Sequence, residues 1–525
     1  MTHRPPALTA LLVAATSLGM LGAHSPAHAQ PTINVNGTVL QVQGLVGVGR
    51  IPANQRDEHG ETFGSISGLF ANASTWQRSG NTYSGSFIAA PDRGYNIMGT
   101  TDYTPRLNTL QMSFTPAPLA ASGLPQNQIG LTLTQATRLF ENIPGGGTQL
   151  FSGLDPRPGG VATGGARAAT ATLPELPQAF NGKLALDAEG IVVLSDGSRL
   201  VSDEYGPSLY RFNAGGQFLG ALPVAASVRP LRGGVTDYSS NNPTTGQPGP
   251  APTNPSYGRS NNQGFEGLSV SPDGRTLFVG LQSAARQDGA ATGASFRDHT
   301  RLFTYDLSNL DAITLTAEYA VLLPKFVQGS NTLVAAQSEL LALSNTQLLI
   351  LPRDSNGLNV GTGQSLLRRV DVIDISGATN NLGQPYEGQI APAGVLNPAI
   401  SRAVSVPFLN LNDATQLSRF GLGNGNTFGV DNLSEKWEGL ALLPALDPAA
   451  PNDWFLFIAN DNDFSTVDGF QAGGAYVSLQ GDIDTMFLAY RVTITPVPEP
   501  ASLAMLLAGG ALLAARVRRS ARTGA

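Results

Sequence analysis

The chain has 525 residues, 41% of them hydrophobic and only 13% charged, which leaves ample apolar material for a large core. With 61 Gly, 36 Pro and no Cys, it excludes disulfides, thiol nucleophiles and thiolate metal sites, and it suits short strands and many turns better than long helices. The formal net charge of −7 lacks the basic footprint of a nucleic-acid binder, which argues against nucleic acid as a partner.

In chain order, residues 1–29 read first, as an export signal forming an N-terminal helix. Arg4 supplies a positive start, residues 7–23 are apolar, and Ala27-His28-Ala29 gives the small-x-small pattern cut by signal peptidase, leaving Gln30 first. Residues 30–59 form a lead-in. Residues 60–492 then carry short β-type runs bounded by Gly, Pro, Asn and Asp, at 87–90, 191–194, 199–202, 276–281, 348–351, 370–375, 454–459 and 487–492. Asp-Gly pairs at 196–197 and 273–274 mark hairpin turns.

Internal repetition is the strongest signal in this stretch. Asp187-Ala188-Glu189-Gly190-Ile191 recurs as Gly264-Phe265-Glu266-Gly267-Leu268 and as Lys436-Trp437-Glu438-Gly439-Leu440. Weaker echoes are Ser65-Ile66-Ser67-Gly68-Leu69, with Ser for Glu, and Ser338-Glu339-Leu340-Leu341, without Gly. Each is followed by a second strand ending in a polar cluster: Asp92-Arg93, Asp203-Glu204, Gln282, Arg353-Asp354 and Asp461-Asn462-Asp463. In an antiparallel hairpin, the start of one strand and the end of the next share one end. Repeated around an axis, this gathers carboxylates and arginines on one face of an all-β, β-propeller-like domain. The repeat spacing predicts five to seven blades with long loop insertions.

The chain closes with Val497-Pro498-Glu499-Pro500, an apolar run over 501–515, and Arg516, Arg518 and Arg519. As a helix this run spans about 22 Å, short of the ~30 Å of a bilayer core. Within 496–525 this order resembles the PEP-CTERM sorting signal of Gram-negative bacteria. That resemblance implies exosortase as a processing partner, transient inner-membrane anchoring of a transmembrane helix through 501–515, and delivery to the cell envelope or extracellular matrix.

Familiar hydrolase motifs are missing. No Gly-x-Ser-x-Gly elbow and no Gly-rich Lys-Ser/Thr loop occurs, and beyond residue 29 the histidines are His59 and His299 alone. Carboxylates, arginines and hard cations remain. Converging carboxylates repel, so they need a cation or paired arginines. The oxygen-rich tract 460–463 suits calcium, which takes six to eight oxygen ligands. The candidate metal ligands are Glu189, Asp203, Glu204, Glu266, Glu438, Asp461 and Asp463, with calcium as the expected cofactor. Arg93, Arg353, Asp354 and Lys436 are the candidate catalytic and anion-binding residues, since arginine grips phosphate in a bidentate fashion.

At these residues the chain resembles the phytase-like family described by an esterase-like activity of phytase. The matching blocks are 187–190 with 200–210, 261–268, Glu339 with 348–354, and 436–440 with 458–464. The resemblance implies a propeller-like domain and a phosphoester hydrolase, with calcium as in β-propeller phytases. Leu351-Pro352-Arg353-Asp354 departs from the family pattern, where Glu precedes the Arg-Asp pair. Two other readings stand beside a metal-assisted phosphoesterase. One is a non-catalytic propeller binding glycan, exopolysaccharide or matrix polymer; the other is a calcium-dependent lactonase-like esterase.

Overall fold

The repeat starts open strands, and each of these begins an antiparallel four-stranded sheet. The computed structural model describes residues 32–96, 99–358, 361, 363–425 and 431–496. The export signal and the sorting tail with its apolar run lie outside these residues. Among the described residues, no helix is long and apolar enough to cross a membrane.

The first sheet runs Gly68–Ser79, Thr82–Ala90, Arg106–Phe114, Ile129–Arg138. The second runs Ala188–Val193, Arg199–Asp203, Ser208–Phe212, Phe218–Ala221. The third runs Phe265–Val270, Thr276–Leu281, His299–Asp306, Thr314–Leu322. The fourth runs Ala336–Ala342, Gln347–Arg353, Arg369–Asp374, Val404–Asn410. The fifth takes Lys436–Pro444, Asp453–Asp461 and Thr485–Pro496, and its outermost strand is Thr38–Ile51. The innermost strands touch in ring order, one to two, three, four, five and back to one. Five four-stranded units closed about a channel, the first and fifth joined into one nine-stranded sheet through the parallel pair Gly49 and Ile129, make a five-bladed β-propeller.

The stretch 30–59, set apart in the sequence as a lead-in, contributes to the ring. Thr38–Ile51 pairs with Thr485–Pro496, and Thr32–Val35 adds to its outer edge. The Asp-Gly turns are hairpins, with φ of 82° at Gly197 and 73° at Gly274, a conformation glycine adopts without strain.

Each gap between blades has its own apolar core. Leu107 and Ala90 of blade one meet Val201, Tyr210 and Phe212 of blade two. Leu200 and Leu209 meet Leu277, Val279 and Phe303 across the next gap, and Phe278 and Leu302 meet Leu348 and Ile350 across the third. Val370 and Val372 pack on Leu456, Ile458 and Leu488. The closing gap is the most aromatic: Phe114 meets Phe455 and Phe457 edge-on at 5.0 and 5.3 Å, and Trp76 stacks on Tyr83 at 5.2 Å. Such pairs contribute roughly 0.5–1.5 kcal/mol each beyond burial. The seam where the fifth blade meets the first is thereby reinforced.

Candidate functional site

The Glu-Gly repeat has two physical jobs. Its glycine lets neighbouring inner strands approach: a Cβ on Gly267 would lie 2.3 Å from the Leu340 amide nitrogen, and one on Gly68 would lie 2.1 Å from the Glu189 carbonyl oxygen. Its glutamate sits at a β-bulge. The register of the inner strand against the next slips between Ala188 and Ile191, Phe265 and Leu268, Gln337 and Leu340, and Trp437 and Gly439. A bulge bends the strand and re-aims a side chain. Glu189, Glu266 and Glu438 thus line one cavity of about 530 Å³ at one mouth of the channel.

Glu339, the echo without glycine, takes another course. Its carboxylate accepts from the backbone N–H of Leu340 at 2.9 Å and of Leu268 at 3.2 Å, tying blade four to blade three beneath the cavity. Blade one has Ser67 at this position and sends in Asp92 and Arg93 instead.

Among the described residues, two groups of three carboxylates converge, each with oxygens within 4.8 Å of one another: Asp187, Glu189 and Glu204, and Asp92, Asp461 and Asp463. The second group already holds a cation. Lys436 Nζ lies against Asp461, 3.0 Å from Asp463 and 3.9 Å from both Asp92 and Glu438. Burial works against the lysine's charge, yet Asp461, Asp463, Glu438 and Asp92 together raise its pKa. The first group has a lesser counter-charge, Arg93, which donates to Asp187 at 2.9 Å and to Asn262. Arg353 reaches Glu438 and donates through Nε to Ser338 at 2.9 Å.

Negative charge stays in excess. The cavity is lined by nine carboxylates against Arg93, Arg297, Arg353 and Lys436. Glu204 Oε1, Glu266 Oε2 and Glu438 Oε2 are buried without a hydrogen-bond partner; the other Glu266 oxygen accepts from the Gln282 amide. Burial, then Asp187, pushes the Glu204 carboxyl up to about 8. Burial followed by neighbouring carboxylates also raises Glu189 and Glu266 well above their usual range. Groups so placed hold protons or share a cation.

Of the residues singled out in the sequence, Glu189, Glu204, Glu266, Glu438, Asp463, Arg93, Arg353, Asp354 and Lys436 line the cavity. Asp461 lies behind Lys436 and completes the second triad. Asp203 does not join them. Its oxygens accept from the backbone N–H groups of Asp187 at 3.0 Å, Tyr205 at 3.1 Å and Gly206 at 2.7 Å, so it shapes the turn rather than offering a ligand. Asp354 stands at the wall with its carboxylate largely engaged by Leu366 N at 2.6 Å and Leu367 N at 3.2 Å. The three expected anion binders are all paired with carboxylates.

The sequence reading missed four participants. Asp187 and Asp92 stood inside the quoted blocks without being chosen. Glu435, just before Lys436, lines the cavity, and burial, then Asp463, lifts its carboxyl to about 8. Arg297 lies in no repeat, and nothing in the sequence marks it.

A family described as Phytase-like, with an esterase-like activity of phytase, matches residues 61–464. An uncharacterized secreted protein of Arthroderma benhamiae is 36% identical over 464 residues, covering 82% of this chain and 88% of its own length. Among solved structures, the PQQ-bound aldose sugar dehydrogenase of Streptomyces coelicolor is 12% identical, with 87% of this chain and 98% of that chain covered at a TM-score of 0.25. A gluconolactonase of Xanthomonas campestris is 11% identical, with 67% and 91% covered at a TM-score of 0.21. At such scores neither structure bears on the site.

Proposed function

This chain belongs to the Phytase-like family, and from that premise and its carboxylate-lined cavity we propose that it is a metal-assisted phosphoester hydrolase. The observation that carries the reading is the set of buried oxygens on Glu204, Glu266 and Glu438 that accept no hydrogen bond around the first triad. An all-oxygen donor set of this density fits calcium, which takes six to eight oxygens. Asp187, Glu189 and Glu204 would hold the ion, with Glu266 beside them, and a bound divalent cation supplies charge stabilisation and a more acidic water.

The chain's own groups do the rest. Arg93 holds Asp187 and Arg353 holds Glu438, fixing the donor geometry. Lys436 takes the place of an ion in the second triad and presents positive charge to the ester. Glu435, whose carboxyl is raised by burial and then by Asp463, would give its proton to the leaving alkoxide as water oxygen bonds to phosphorus and the ester P–O bond breaks, and would regain one from the attacking water.

The test measures hydrolysis of a phosphate monoester and of a lactone by the full chain, with calcium and with chelator, alongside Glu204→Gln. Calcium-dependent phosphate release lost in the variant supports the reading. Lactone opening without phosphate release moves the protein to a lactonase-like esterase. Metal binding with no turnover leaves a binding module for glycan or matrix polymer.

The secreted relative and the pattern at Ala27-His28-Ala29 support export, where calcium is plentiful. Signal peptidase cleavage would leave Gln30 first, which N-terminal sequencing of the exported protein checks. Exosortase processing of the tail and delivery to a Gram-negative envelope complete that proposal.

A further inference from the structure

The channel has a second mouth, where the inner strands end, and the chemistry proposed above makes no use of it. Leu69, Ile191, Leu268, Leu340 and Leu440, one from each blade, line a cavity there of about 570 Å³, with Trp454 at its edge. Clefts of roughly 300–1,000 Å³ are the usual size for holding a ligand. None of the lining residues carries a charge, and the Ser269 hydroxyl already accepts from the Ala342 amide at 2.8 Å. Leu341, Leu343, Leu442 and Trp454 stay half-buried around the opening. A contiguous apolar surface of this kind marks a place where something binds.

The chain itself supplies an occupant. Thr485–Pro496 runs toward this mouth: Ile494 lines the cavity, and its N–H donates at 2.9 Å to the carbonyl of Asn452, another lining residue. The apolar run 501–515 begins five residues after Pro496, a distance of at most about 18 Å along an extended chain. On a helical period Leu503, Leu506, Leu507 and Leu513 fall on one side of that run. The other end of the fold is placed differently. Thr32–Val35 lies on the outer edge of blade five, and none of its residues lines the mouth. A concave mouth without lysine or arginine also suits a tethered apolar segment better than an anionic lipid surface, which basic residues would hold.

We propose that residues 501–515 fold back into the apolar mouth and cover it while the tail is attached, so that removing the tail uncovers the mouth. The leucines of the run and those of the five inner strands then shield each other from water. A short link makes such docking easy, because it sets an effective concentration of about millimolar. The docking is independent of the phosphoesterase reading, since no residue lines both mouths.

The full chain has no cysteine, so an introduced pair reports alone. Ala73 is exposed at the apolar mouth, and Thr332 is exposed on the hairpin beside the acidic one. Ala73→Cys and Thr332→Cys are each combined with Leu507→Cys in the full chain, and disulfide formation within one chain is followed over time. The pair at Ala73 should close about 10-fold faster than the pair at Thr332, although both are tethered. Equal rates overturn the inference. Links between chains instead of within one also overturn it, and make the mouth an interface between copies. Trp454 gives a second readout, because the other two tryptophans, Trp76 and Trp437, are buried. Leu506→Asp with Leu507→Asp lies outside the propeller and should shift the Trp454 emission to the red, as water enters the mouth. No shift overturns the docking. A wild-type emission that moves to the blue only when phosphatidylcholine vesicles are added overturns it too, and assigns the mouth to a lipid surface.

Discussion

The same five inner strands line both mouths of the channel, and the two mouths have opposite chemistry. At the end where the strands begin, Glu189, Glu266 and Glu438 face Asp92, Asp187 and Glu204 in a crowded acidic cavity. At the other end a second cavity, of about 570 Å³, is walled by Leu69, Ile191, Leu268, Leu340 and Leu440, with Trp454 at its edge. Only a few residues separate Glu189 from Ile191 or Glu266 from Leu268. What changes between them is the bulge and its glycine. Above the bulge, side chains are bent into the acidic cavity; below it the strands resume a regular pleat and close with apolar side chains. Glu339, bonded across blades, marks the boundary. The lesson is that a propeller confines its unfavourable charge to one mouth and stabilises the ring from the other.

That contrast is open to attack at either mouth and at the boundary. Ile191→Asp would put an unpaired carboxylate in the apolar mouth and should cost about 3–5 kcal/mol in urea unfolding; a cost near zero would mean that this mouth is wet. Glu339→Ala removes an acceptor from the Leu268 and Leu340 amides, and unfolding free energy should fall by about 3 kcal/mol. At the acidic mouth, Glu204→Gln relieves like-charge crowding. Metal-free protein should melt at the same or a higher temperature, while calcium affinity by calorimetry drops about 100-fold. Gly267→Ala needs Leu340 to retreat and should cost roughly 1–3 kcal/mol. A gain in stability there would refute the close-approach argument.

A further effect is expected on pH. Glu204 and Glu435 hold their protons up to about 8 in the fold, against about 4.5 for a free glutamate. Their protonated forms favour the fold fully below about 4.5, and that contribution is lost as pH rises through about 8. Metal-free protein should therefore melt at falling temperature across that interval. Calcium should flatten the part of the curve that belongs to Glu204, because there the ion takes over from the proton. A metal-free curve that rises with pH would contradict the crowding at this mouth.

Much of the contrast was legible in the sequence because it is written locally. The starts at Glu189, Glu266 and Glu438 are points where inner strands meet the cavity, and the second strands end in clusters that the ring brings alongside. Local hairpin geometry suffices for that. Three features needed long-range information. Asp203 and Glu204 are neighbours, yet only the turn's backbone decides that one caps amides and the other faces the cavity. Glu339 reads as a degraded repeat, but its partner is Leu268 of the previous blade. Arg297 lines the cavity from a segment that the repeat pattern does not include, next to Asp298, which Lys325 holds from a separate hairpin.

The fifth blade borrows its outer strand from the chain's opposite end, with twelve residue pairs between Thr38–Ile51 and Thr485–Pro496. Gln43 donates to Thr493, 450 positions along the chain. Contacts of such sequence separation form slowly, since a very long loop must close before they give anything back. The aromatic seam beside them cannot assemble earlier either, because Phe455 and Phe457 belong to that last blade. Ring closure therefore waits for the last strand to be made, and until then a growing chain is an open arc of blades whose first strand is left without its partner.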